Sequence, residues 1–149
     1  MQKCTLALGC FWKPEENFKN KPGIIETEVG YAGGHNPNVT YDEVCTGETG
    51  HAEVVRLTFD ESQISYKKIL ELFFKMHDPT QKDMQFPDVG TQYRSEIFYE
   101  NENQKKEAEK IFSDRNKELK GKIQTNISKI KNYCKAEEYH QKYIEKNTR

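Results

Sequence analysis

The chain has 149 residues, of which 32% are charged and 34% hydrophobic, with a formal net charge of −1. That length suits one domain, and the charge balance excludes the basic excess of a nucleic-acid binder. Eight Tyr, eight Phe and one Trp exclude the aromatic-poor composition of a disordered chain.

No apolar run reaches the length of a membrane span. Met1-Gln2-Lys3-Cys4-Thr5-Leu6 lacks the apolar stretch of a signal peptide, so a cytoplasmic location with reduced thiols is expected. Cys4, Cys10, Cys45 and Cys134 form no C-x-x-C pair, which argues against a thioredoxin-type motif or a zinc ribbon.

Cys4, Leu6 and Leu8 alternate with Thr5 and Ala7 and predict a first strand. A helix follows, with Pro14 in its first turn and Glu15 and Glu16 at its positive end; Asn20-Lys21-Pro22-Gly23 stops it. A second strand is predicted from Ile24 to Tyr31, then a long Gly-, Asn- and Pro-rich loop from Ala32 to about Gly50. Ala52 to Phe59 alternates as a strand. Ser65 fits the N-cap of a helix with Ile69, Leu72, Phe73 and Met76 on its apolar stripe, and Ile64 can staple onto Ile69. A second unpatterned loop runs from Asp78 to Gln92.

Arg94 to Glu100 reads as a strand, and Glu102 to Lys120 as a long helix with Ala108, Ile111, Phe112, Arg115 and Leu119 on one side. Ile123, Thr125 and Ile127 suggest another strand, and Ala136 to Lys146 a last helix carrying Tyr139, Tyr143 and Ile144. Strands and helices mix without strict alternation. The expected fold is α+β: a two-layer α/β sandwich with a ferredoxin-like core, a mostly antiparallel sheet and long loops around the site.

Cys10 lies where a strand meets a helix. Unpaired backbone N–H groups at a helix mouth favour a thiolate nucleophile, and Lys13 adds positive charge nearby. The plain alternative is a small buried apolar residue, which Cys4 fits well. Phe11 and Trp12 offer two large rings beside the thiol, as a pocket wall or as ordinary core.

Glu53 shares the phase of Val55, Leu57 and Phe59, so alternation points a carboxyl group at the apolar face. There it would hold its proton near neutral pH and suit a general acid; at a strand end it can instead turn out to solvent. Tyr41, Asp88 and Tyr93 sit in or beside the two long loops, placed either to meet a polar substrate atom or as loop structure.

His51-Ala52-Glu53 has the H-x-E of zinc deaminases without the downstream P-C-x-x-C. His35, His77 and His140 have no ligand spacing, so no metal is expected. A Cys-His hydrolase would pair Cys10 with His51 or His77, although His77 reads better as a helix C-terminus.

The whole series resembles one family. Gly9-Cys10-Phe11-Trp12, Gly30-Tyr31-Ala32-Gly33-Gly34, Tyr41-Asp42-Glu43-Val44-Cys45-Thr46-Gly47, Thr49-Gly50-His51-Ala52-Glu53-Val54-Val55, His77-Asp78-Pro79-Thr80, Gly90-Thr91-Gln92-Tyr93-Arg94-Ser95 and Ala136-Glu137-Glu138-Tyr139-His140-Gln141 are similar, in order, to blocks of the type A peptide methionine sulfoxide reductases. The resemblance implies reduction of the S epimer of methionine sulfoxide, free or in proteins, as repair after oxidative stress. Cys10 would attack the sulfoxide sulfur and become a sulfenic acid. Phe11 and Trp12 would hold the methyl group, Glu53 would protonate the departing oxygen, and Tyr41, Asp88 and Tyr93 would bind the polar part. No cofactor is implied.

The sequence departs from the family in two places. The family usually has Gly after the Trp and a single Glu soon after; Lys13-Pro14-Glu15-Glu16 stands here, which alters the charge expected at the pocket rim. Many members carry a Gly-rich C-terminal tail with resolving cysteines, whereas this sequence ends Asn147-Thr148-Arg149. The expectation is one catalytic domain over 1–149 without that tail. Cys45 is common in the family without a resolving role, Cys4 and Cys134 stay open, and some members use selenocysteine at the Cys10 position. Thioredoxin, glutaredoxin or a small thiol would reduce the sulfenic acid, directly or through an intermolecular disulfide, in a monomer or an oxidation-linked dimer. The competing functions are the Cys-His hydrolase and a methionine-gripping peptide-binding module that would not need Cys10.

Overall fold

The structure, a computed structural model, describes residues 1–147. The last two positions of the expected domain lie outside the described residues. Among the described residues, eight strands and five α-helices follow in chain order: β1 (Gln2–Leu8), α1 (Trp12–Lys19), β2 (Ile24–Ala32), α2 (Tyr41–Cys45), β3 (Ala52–Phe59), α3 (Tyr66–Met76), β4 (Met84–Gln85), β5 (Asp88–Val89), β6 (Ser95–Tyr99), α4 (Glu102–Glu118), β7 (Asn126–Lys129), β8 (Cys134–Lys135) and α5 (Tyr143–Asn147).

The main sheet has the order β7-β6-β1-β3-β2-β8. Its four central strands pair antiparallel and connect as strand–helix–strand–strand–helix–strand, which is the ferredoxin-like arrangement. The short edge strand β8 is antiparallel to β2, but β7 joins β6 parallel. The sheet is therefore mixed, because the chain crosses back over α4 before adding its last long edge.

The helices cover one face of the sheet. Leu6 and Leu8 of β1, Val29 and Tyr31 of β2 and Val55, Leu57 and Phe59 of β3 meet Phe18, Ile69, Phe73 and Ile111 from α1, α3 and α4 in one buried cluster. The opposite face carries a smaller cluster of Ala7, Ala32, Ala52, Val54 and Phe98. Central strands buried on both faces need apolar residues at both parities, and β1 is buried from Cys4 onward.

Ser65 caps α3 by accepting the Lys68 N–H at 3.1 Å, as the sequence predicts. The side of α4 that meets the core is narrow. Ala108 and Ile111 are buried, whereas Leu119 is the C-cap and 37% exposed.

The two long loops are more ordered than expected. Inside the first, Thr40 and Glu43 form a reciprocal capping box that starts α2. Inside the second, β4 and β5 pair as a small hairpin, and Asp78 and Gln85 exchange backbone and side-chain hydrogen bonds. The strand expected from Ile123 begins at Asn126, although Ile123 and Thr125 are buried.

The predicted last helix is broken. A single 3₁₀ turn, Glu138–His140, precedes α5, and Lys142 between them has φ +51. Tertiary contacts override the local helical pattern here. The Gln141 amide accepts the Val29 N–H at 2.9 Å and donates to the Val29 carbonyl at 2.8 Å and the Ala136 carbonyl at 3.0 Å. Gln141→Leu would remove the partner of the buried Val29 N–H and the amide's bonds to the Val29 and Ala136 carbonyls, of which the Val29 carbonyl keeps the Ala136 N–H at 3.0 Å, and lower stability by ~1–3 kcal/mol, read as a shift of the urea midpoint with an unchanged m-value.

Candidate active site

β1 ends at Leu8, and Gly9 turns the chain with φ +96. Only glycine takes that conformation without strain. A Cβ on Gly9 would also lie 2.9 Å from the Gln85 Cβ, so the missing side chain leaves room for Gln85 of the 78–92 loop to pack against this turn, one residue before Cys10. Cys10 is half-buried at the mouth of α1.

Burial pushes the Cys10 thiol up to about 11; a hydrogen bond from the Trp12 backbone pulls it down, and the Glu53 and Asp88 charges push it further up. The resting group is a thiol, and the expected thiolate is corrected. One N–H donor does not offset desolvation and two neighbouring carboxyls. Lys13, expected to supply positive charge, is exposed.

Glu53 begins on β3 with the parity of the core-facing residues and is 1% exposed. Its Oε1 accepts the Phe11 N–H at 3.2 Å, while Oε2 is buried without a partner. Burial lifts this carboxyl to about 8, with the Phe11 N–H opposing and Asp88 adding to the rise. It is a carboxylic acid at neutral pH.

Tyr41 and Tyr93 lie close enough to Glu53 for its charge to act on both. Burial first, then interactions that include the Glu53 charge, raises both phenols, Tyr93 to about 12. Asp88 acts on Cys10, Glu53 and Tyr93 alike. The seven residues predicted for the site therefore share one region.

The aromatic wall has partners that sequence reading missed. The Phe11 ring lies 5.7 Å from Tyr31 and 5.1 Å from His140. The Trp12 indole donates to His140 Nδ1 at 3.1 Å and stacks on Tyr143 at 3.8 Å, 9° from parallel. Tyr41 lies 4.5 Å from His140. Glu137 joins the two sides, accepting the Tyr31 hydroxyl at 2.7 Å and the Tyr41 N–H at 2.8 Å.

Tyr31 was accessible to the parity rule that found Glu53, since it shares a face with Val29 and pairs with Glu53 across β2 and β3. Nothing local in the sequence marks His140 or Tyr143 as neighbours of Trp12. Glu15, whose charge was expected near the rim, is instead buried under α1.

The histidines of the hydrolase alternative are engaged elsewhere. His77 Nδ1 donates to the Phe73 carbonyl and Nε2 bonds the Ser95 hydroxyl, each at 2.7 Å. His51 Nε2 bonds the Asn132 carbonyl at 3.1 Å. Burial holds His77 down to about 4, so it is neutral and committed to structure.

Comparison with known proteins gives a consistent picture. The chain matches the family described as "Peptide methionine sulfoxide reductase" over residues 2–149. It is 56% identical over 146 residues to a peptide methionine sulfoxide reductase MsrA of Pelagibacter ubique, covering 98% of this chain and 99% of that protein. It superposes on Mxr1 from Saccharomyces cerevisiae in reduced form with a TM-score of 0.93 at 39% identity, covering 98% of this chain and 85% of the other. Mxr1 in complex with Trx2 matches with a TM-score of 0.67 at 28% identity, covering 95% of this chain and 84% of the other.

Proposed function

This chain belongs to the peptide methionine sulfoxide reductase family, and from that premise we propose that Cys10 attacks the sulfoxide sulfur while Glu53 manages the protons. The protein is an oxidoreductase that reduces methionine sulfoxide to methionine. The observation that carries the site reading is the unpartnered Oε2 of a buried carboxylic acid beside Cys10.

Attack requires the thiol to lose a proton and the sulfoxide oxygen to gain one. With Oε1 occupied by the Phe11 N–H, Oε2 carries the Glu53 proton and gives it to the sulfoxide oxygen as its bond to sulfur breaks. The resulting carboxylate takes the proton that Cys10 releases. The S–S bond made by the attack breaks as the protonated oxygen passes from the substrate sulfur to the Cys10 sulfur, so the products are methionine and Cys10 sulfenic acid; Cys10 sulfur loses the electron pair that the substrate sulfur gains. Phe11 and Trp12 face the methyl group, and Tyr41, Tyr93 and Asp88 hold the polar atoms.

The sulfenic acid condenses with an external thiol, releasing water. A second thiol then frees Cys10 as a disulfide leaves. Thioredoxin is the proposed donor, supported by the similarity to a protein whose structure was solved with Trx2. Cys4 is an unsuitable resolving residue, since it is wholly buried and burial raises its thiol far above the usual range. The proposed catalytic unit takes in at least residues 2–147, the span of the strands and helices. A cytoplasmic setting is consistent with the described residues, among which no helix is long and apolar enough to cross a membrane.

The test is incubation with the separate S and R epimers of methionine sulfoxide and dithiothreitol, then with thioredoxin and its reductase. The S epimer is consumed with both donors and the R epimer stays unchanged. Consumption of the R epimer instead would overturn the stereochemical assignment. Mass spectrometry after one turnover without reductant finds added oxygen on Cys10 or a disulfide from Cys10 to a second copy of the chain; an intrachain bond to Cys4 or Cys134 would overturn the external-thiol route.

A further inference from the structure

Close to Trp12 along α1 lies a carboxyl group that the proposed reaction does not use. Glu15 stands three residues after Trp12 on α1 and is 1% exposed. One of its oxygens accepts the Thr27 hydroxyl at 2.7 Å, and the other accepts the backbone N–H of Lys142 at 2.7 Å.

Lys142 is the residue with φ +51 that breaks the C-terminal segment. A side-chain-bearing residue keeps that left-handed conformation only where its surroundings over-determine it. Gln141 clamps Val29 on one side of the kink, and Glu15 holds the kink itself. The next residue is Tyr143, whose ring lies flat on Trp12. The contacts close a ring: from Trp12 along α1 to Glu15, across to Lys142, one residue on to Tyr143, and back to Trp12.

We infer that Glu15 is a positioning residue: by holding the Lys142 N–H it fixes the turn that lays Tyr143 on Trp12, and so sets the aromatic wall of the pocket. The inference rests on the reading of Trp12 as a substrate-binding residue. The part played by charge is small, because the Lys142 ammonium is 4.0 Å from Glu15 and its side chain is 42% exposed. What matters is an acceptor for the Lys142 N–H. A glutamine satisfies that requirement, because its oxygen can accept this N–H while its amide donates to the Thr27 hydroxyl. A leucine does not.

Trp12 is the sole tryptophan, so its emission reports on the wall without any turnover. In Glu15→Leu the emission moves to longer wavelength and becomes more open to acrylamide quenching. The KM for methionine sulfoxide rises about tenfold while kcat changes less, as expected when a binding wall is misplaced. Glu15→Gln restores both readouts. Ile111→Ala, in α4 on the far side of the core, lowers stability without moving either.

A Glu15→Leu protein with parental emission and KM would overturn the inference, as would an Ile111→Ala protein that shifts them equally. Failure of Glu15→Gln to rescue would do the same. Should Glu15→Leu not fold, Glu15→Asp, which withdraws the carboxyl by one methylene, must move both readouts in the same direction. The emission arm needs no catalysis. Failure of the proposed chemistry would appear separately, as sulfoxide reduction that survives loss of Cys10.

Discussion

Cys10→Ser abolishes reduction of the S sulfoxide, with a loss on the order of 10⁴-fold or more, and leaves the fold intact. Serine is nearly isosteric, and its oxygen can take the hydrogen bond that the Trp12 backbone gives the sulfur. Half-buried Cys10 is not part of the main core cluster, so the stability change stays within ~1 kcal/mol. The chemical change is large. A serine hydroxyl is a far weaker nucleophile toward sulfur and has no sulfenic acid state to hold the transferred oxygen. The check is S-epimer turnover with excess dithiothreitol, beside circular dichroism and a urea titration. Retained turnover in a folded variant would reduce Cys10 to a structural residue, and retained binding without turnover in the parent would favour the peptide-binding module.

The same contrast between local and distant forces explains what could be read in the sequence. β1, β3 and β6 were legible because residues of one parity meet a continuous core. Glu53 was found for the same reason, as a polar residue in an apolar phase. The α2 helix had a local signal in Thr40 and Glu43, masked by the surrounding Gly, Asn and Pro. The C-terminal wall had none. Its course is set by Gln141 on Val29, Lys142 on Glu15 and Glu137 on Tyr41, contacts separated by 112, 127 and 96 residues. A helical reading of Ala136 to Lys146 is sound by local rules and is overridden by these bonds. The thiolate expectation failed in a related way. The helix mouth is visible in sequence, but the burial and the two carboxyls that outweigh it come from β3 and the 78–92 loop.

Glu53→Gln lowers kcat by ~10²–10³-fold and removes a pH dependence that the parent shows. A general acid contributes on this scale, and glutamine keeps the shape while losing the transferable proton. In the parent, the proton is present below about 8 and lost above it, so activity falls as pH rises through that value. The variant's residual rate shows no corresponding fall.

Stability falls as well, over a lower pH window. The ordinary carboxyl value is 4.5 and the folded value about 8. Between these two values the folded state holds a proton that the unfolded state has released. Stability therefore falls as pH rises through that window and levels off above it. For a group 1% exposed, the change is on the order of a few kcal/mol. The variant lacks this term, so its stability relative to the parent improves from pH 5 to pH 9. Comparing the two proteins across pH cancels the fixed cost of burying the amide, which makes the widening gap the cleanest measure. A pH-independent gap between the urea midpoints would show that Glu53 ionises normally in the native state, and the proton source at the sulfoxide oxygen would have to be a phenol, Tyr41 or Tyr93. A widening gap together with lost turnover would mean that the carboxyl making this site reactive is also what destabilises it at alkaline pH.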